Sequence, residues 1–167
     1  MISKKVILTG SFGVGKTSLF NKFLYNRFSE KYLTTIGVKV DKRTVNVDGQ
    51  EVSMLLWDIA GEVSQDKVPH SYFLGASGII YVFDLTRPST FMNMATDIDY
   101  LKNLLPGVSI KIVGNKIDLV TPEHLAMVEA ELPLPYDILT SAKTGDEVEN
   151  LFYALGKDLI TNAATKV

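Results

Sequence analysis

The sequence predicts a three-layer α/β fold: a mostly parallel, six-stranded sheet with one antiparallel edge strand and helices on both faces. Three observations carry this. Short apolar runs at residues 6–8, 79–83 and 110–113 lack polar alternation, as strands buried on both faces do. Helical spacing recurs between and after them, in Leu19, Phe20, Phe23 and Leu24, then Phe91, Met94, Ile98, Leu101 and Leu105, then Val148, Leu151, Phe152, Leu155 and Leu159. Phosphate-type motifs fall at strand ends, where such sheets bind ligands.

Taken in order, the first strand runs into a glycine-rich loop that opens a helix. Val45 and Val47 then flank Asp48-Gly49 with Val52, Met54 and Leu56, which predicts an antiparallel hairpin on a two-residue turn with positive φ. Lys39, Lys42 and Arg43 suit an edge strand guarded against aberrant pairing. Thr121-Pro122-Glu123 reads as a helix start, with Thr as cap and Pro in the first helical position. No repeat or linker divides the chain, so a single domain spanning 1–167 is expected.

Composition excludes several classes. The net charge is -2 and the 17 basic residues are scattered, so no nucleic-acid or anionic-lipid stripe is expected. The absence of cysteine excludes disulfides, thiolate metal sites and prenyl or palmitoyl anchors on this chain. MISKK is too polar for a signal peptide, and GIIYVF is too short to span a bilayer, so a cytoplasmic location is expected. His70 and His124 read most simply as solvated, and with no cysteine they make a zinc site improbable.

Three motifs carry chemistry. GSFGVGKT, Gly10 to Thr17, follows a strand and opens a helix, the context a phosphate loop requires. Its glycines let successive N–H groups converge on an anion while the helix N-terminus adds positive charge; Gly13, Val14, Gly15, Lys16, Thr17 and Ser18 are the expected contacts. Lys16 should bridge the β- and γ-phosphates, and the Thr17 hydroxyl should ligate Mg²⁺. NKID, Asn115 to Asp118, supplies a carboxylate that can accept from guanine N1–H and the N2 amine, which adenine cannot satisfy. Ser141-Ala142-Lys143 follows the sixth strand at the same end of the sheet, where the Ala142 amide could meet guanine O6; an ordinary loop before a helix is the plainer reading.

GSFGVGKT, TTIG, WDIAG, NKID and TSAK stand in the order and spacing of the Ras-like small GTPases, and the resemblance runs from Lys5 to Leu159. YLTTIGV, GASGIIYVFDLT and TSAKTGDEVENLF are most similar to the Rab branch. The resemblance implies a P-loop small G domain holding GTP or GDP with Mg²⁺. It implies that Phe28 and the stem of Lys116 cover the guanine, with a core aromatic as the plainer reading of Phe28. It further implies that Tyr32 lids the phosphates, that Thr35 and Asp58 serve the metal beside Thr17, and that Thr35 and Gly61 donate N–H groups to the γ-phosphate. Loops near 30–38 and 59–74 would then switch with nucleotide state, and effectors and regulators would read residues 30–43 and 59–74.

The chain also departs from that pattern. Glu62 stands where relatives usually carry the glutamine that orients the attacking water. An ionised Glu62 about 5 Å from one phosphate charge would be repelled by ~3 kcal/mol at an effective dielectric near 20. It would therefore swing out, bind neutral, or require a cation; a solvated loop glutamate without chemical role is the plain alternative. Phe12 replaces a small residue near the γ-phosphate, either blocking a partner's arginine or simply pointing outward. Ile59 replaces a common threonine, and Gln65 is a possible substitute for the missing glutamine. The expected activity is slow hydrolysis of GTP, with Lys16, Thr35, Gly61 and Glu62 nearest the chemistry. A binding module that holds GTP without turnover and an ATP-dependent P-loop enzyme are the rivals.

Overall fold

The computed structural model describes residues 2–29, 37–62 and 64–165, the last three of these as backbone only. The strands are β1 (Ile2–Gly10), β2 (Val38–Val47), β3 (Gln50–Ile59), β4 (Ala76–Asp84), β5 (Ser109–Asn115) and β6 (Ile138–Thr140). They form one sheet in the order β2-β3-β1-β4-β5-β6. Among the described residues only the β2–β3 pair is antiparallel. The helices are α1 (Lys16–Tyr25), the single turn α2 (His70–Phe73), α3 (Met94–Leu104), α4 (Pro122–Glu131) and α5 (Val148–Thr165).

Neighbouring residues on a strand face opposite ways, so a doubly covered strand needs apolar residues at every position. Val6, Leu8, Ile80 and Val82 pack with Leu19, Phe20, Phe23, Leu151, Phe152 and Leu155 from α1 and α5. Ile7, Ile79, Tyr81 and Phe83 face the other way, onto Met94, Ile98 and Leu101 of α3 and Val128 of α4. Stacking of Phe23 on Phe152, with ring centroids 3.7 Å apart, joins the first and last helices.

The hairpin turn forms as its residues dictate: Asp48 and Gly49 have φ of 52° and 88°, and Asn46 Oδ1 accepts from the Gly49 N–H at 2.9 Å. Thr121 Oγ1 accepts from the His124 N–H at 3.2 Å, capping α4 with Pro122 in the first turn. β2 is the sheet edge, but Arg43 does more than guard it. Its guanidinium donates to Phe23 O and Glu149 Oε1, both at 2.7 Å, so the edge strand is bound to α1 and α5. α3 begins later than the apolar spacing predicts, because a 3-10 turn at Pro88–Thr90 precedes it; Phe91 is buried from that connection.

Sheet register positions the site. Asp58 pairs across from Leu8, Asp84 from Asn115, and Asn115 from Thr140. Each motif-bearing loop therefore leaves the same edge of the sheet.

Candidate nucleotide site

β1 ends at Gly10, and the loop to α1 contains three glycines with positive φ: Gly10 at 143°, Gly13 at 77° and Gly15 at 103°. Side chains there would be strained, and the bare backbone can turn its N–H groups toward one point. Lys16 is buried, and its ammonium donates to Gly10 O at 3.0 Å and Ser11 O at 2.8 Å. Burial lowers its pKa to about 8; Asp58 opposes that shift and Arg87 adds to it. Two neutral carbonyls and one carboxylate leave a buried cation incompletely compensated, so the loop fits a polyanion.

Thr17 Oγ1 donates to Asp58 Oδ2 at 2.7 Å, and both side chains are buried. A hydroxyl and one carboxylate are hard oxygen donors of the type Mg²⁺ takes when phosphate and water complete its shell. Among the described residues, no three His, Cys, Asp or Glu side chains converge on a metal position. This donor set fits a phosphate-bound Mg²⁺ rather than a metal held by protein alone.

At the other end, Asn115 ties three segments together. Its Nδ2 donates to Val14 O at 3.0 Å, while its Oδ1 accepts from Thr140 Oγ1 at 3.0 Å and from the Ala142 N–H at 3.3 Å. The Ala142 amide, expected at a guanine oxygen, here faces Asn115. Lys116 has a left-handed backbone, φ 74°, and its ammonium reaches back to Gly13 O at 3.0 Å and Asp84 Oδ2 at 2.9 Å. Its stem therefore spans from the NKID loop to the phosphate loop. Asp118 is exposed, and its Oδ1 accepts from Ser141 Oγ at 2.8 Å, which fixes the carboxylate's direction. Lys143 is exposed on the same loop, and Ser18 is half-buried in the first turn of α1.

Phe28 is 37% exposed and belongs to neither apolar cluster, which removes the core-aromatic reading. Tyr32 and Thr35 lie outside the described residues. Gly61 lies against the phosphate loop: a Cβ there would come within 2.5 Å of both Phe12 N and Phe12 Cα. The neighbouring Glu62 N–H points to Gly10 O at 3.4 Å, and among the described residues its carboxylate has no hydrogen-bond or ion-pair partner. Phe12 is 52% exposed and faces outward, so its ring does not fill the loop. Gln65 is buried and accepts from Thr9 Oγ1, so its amide is directed into the sheet rather than toward the loop.

Two residues near the site escaped sequence reasoning. Arg87 Nη2 donates to Phe12 O at 2.7 Å, buttressing the loop from outside. Asp84, fully buried, pairs with Lys116 and accepts from Thr86 N and Oγ1 at 2.8 and 2.6 Å. A carboxylate ending an apolar strand, as in both WDI and VFD, was the available signal for Asp84. Arg87 left none.

The Ras family pattern matches residues 5–161. Ras-related protein RABA1c of Arabidopsis thaliana is 38% identical, over 89% of this chain and 71% of that relative. Ras-related protein SEC4 of Saccharomyces cerevisiae is 34% identical, over 92% and 73%. Human Ras-related protein Rab-8B is 32% identical, over 98% and 81%. With its six-stranded sheet, glycine loop and strand-end motifs, the chain belongs to the Ras family of small GTPases, near the Rab branch.

Proposed function

We propose that this chain is a guanine-nucleotide switch that binds GTP and GDP with Mg²⁺ and hydrolyses GTP slowly. The observation that carries the reading is the buried, under-compensated Lys16 ammonium in a positive-φ glycine loop, braced by Asn115 and Lys116 from the base-reading loop. In this reading the amides of Gly13 to Ser18 grip the phosphates, and Lys16 neutralises charge that develops between them. Asp118 reads guanine N1–H and N2, Phe28 and the Lys116 stem cover its faces, and Ser141, Ala142 and Lys143 shape its edge. Thr17 and Asp58, with Thr35, hold Mg²⁺, which would supply charge neutralisation on the phosphate oxygens. Tyr32 covers the phosphates, and Gly61 donates its amide to the terminal one.

Glu62 accounts for the slow rate. Its backbone nitrogen lies 3.4 Å from Gly10 O of the loop, its carboxylate has no neutralising partner among the described residues, and phosphate charge would drive that carboxylate away. It therefore positions water poorly. The two partner-reading segments, 30–43 and 59–74, offer apolar side chains to protein partners: Val40 is 44% exposed and Leu74 69%. Among the described residues no helix is long and apolar enough to cross a membrane, and a cytoplasmic site of action is the reading consistent with the chain's chemistry.

Time-resolved phosphate release from GTP-loaded protein tests the function. The wild type should convert GTP to GDP slowly, and Glu62→Gln should accelerate release. GTP persisting unchanged for hours in the wild type would make this a nucleotide-holding module instead, and an unaltered rate in folded Glu62→Gln would place Glu62 outside the chemistry.

A further inference from the structure

Four buried polar side chains outside the nucleotide site form one connected set. Thr9 Oγ1, on β1, donates to Gln65 Oε1; the Gln65 N–H donates to Asp97 Oδ1 at 3.0 Å; and Tyr81 OH, on β4, donates to Asp97 Oδ2 at 2.7 Å. Exposure is 1% for Thr9, Gln65 and Tyr81 and 4% for Asp97. They lie against the apolar cluster containing Val68, Phe73, Met94 and Ile98, where a carboxylate is costly unless both oxygens are occupied. Burial accordingly raises the Asp97 pKa.

One of those two oxygens is occupied by the backbone of residue 65, within the segment that follows the WDIAG motif. If Gln65 lifted away, Asp97 and Thr9 would each lose a buried partner, so the 65–67 turn has one strongly preferred seat. Gly61, four residues upstream, lies against Phe12, while the direct bond from Glu62 N to Gly10 O is long at 3.4 Å and holds little. The seat is therefore fixed from the Gln65 end.

We infer that Asp97, supported by Thr9 and Tyr81, is a positioning residue that, through Gln65, seats Gly61 and Glu62 against the phosphate loop and fixes where they meet the terminal phosphate. This rests on the proposed GTPase reading and adds a residue to its machinery.

The test uses the full chain loaded with GTP, measuring single-turnover phosphate release, GDP affinity and amide exchange over residues 61–67. Asp97→Leu should slow release about tenfold, the factor expected for a lost hydrogen bond to a charged group. It should raise exchange across 61–67 while leaving GDP affinity at the wild-type value. Asp97→Asn should restore the rate, since its oxygen can accept from Gln65 and its amide can donate to the Tyr81 hydroxyl. Thr9→Val, nearly isosteric, should also slow release, and it decides the matter if Asp97→Leu does not fold. Wild-type rates in Asp97→Leu, or equal losses of rate and GDP affinity with no rescue by Asn, would overturn the inference. Failure of the wild type to bind guanine nucleotide would instead defeat the underlying reading.

Discussion

Gly15 has φ 103°, and a methyl on it would lie 2.2 Å from Asn115 Nδ2. Substitution therefore strains the backbone and displaces the side chain that links the glycine loop to the NKID loop. Gly15→Ala should cost about 1–3 kcal/mol of stability, the range for a residue forced into a disfavoured conformation. Urea unfolding checks this, and an unchanged midpoint would refute it. Such residues were legible because their chemistry is local: an anion-binding turn needs glycines at set positions, and Lys16 and Thr17 follow in fixed register. Asp97 was not read. Asp97 falls three positions after Met94 on the core face of α3, so a charge within an apolar stripe was the clue, but its partners come from two other elements. Gln65 was weighed as a water-positioning group, and its contact with Thr9 points it elsewhere.

The β2–β3 hairpin and the α4 start were fully legible, since a positive-φ turn and an N-cap are decided within a few residues. The start of α3 was not, because Pro88 opens a 3-10 turn whose length depends on Thr90 Oγ1 accepting from the Asp84 N–H at 2.9 Å. The junction between the Gln65–Lys67 turn and α3 yields a pH prediction. Desolvation holds the folded pKa of Asp97 above its ordinary value of 3.8, so the folded state binds this proton more tightly than the unfolded chain. Its contribution is then most favourable at low pH and is lost as pH rises through the folded pKa. Asn at 97 cannot titrate. The melting temperature of Asp97→Asn relative to wild type should therefore rise between pH 4 and pH 7, other carboxylates cancelling in the difference. A difference independent of pH would contradict the shift.

At the scale of the molecule, two apolar layers clamp the sheet, yet the loops at its carboxyl edge are held together mainly by polar links through Asn115 and Lys116. The layered core was legible from unalternating strands and helical spacing, whereas these cross-links were not, because Val14, Gly13 and Asp84 lie far from residue 115 in sequence. A ligand touching both the glycine loop and the NKID loop would bind the folded state alone, since no unfolded chain brings residues 13 and 118 together. Stabilisation then follows mass action, about 4 kcal/mol when free nucleotide exceeds its dissociation constant a thousandfold. For a domain of this size, that corresponds to a rise of about 8–16 °C in melting temperature. Mg²⁺ with GDP or GTP at such excess should produce that shift in nucleotide-stripped protein. ATP at the same concentration should leave the midpoint in place, because adenine would strand the Asp118 carboxylate without its two donors. An equal shift with ATP would mean that the phosphate loop alone does the binding and that the NKID loop selects no base.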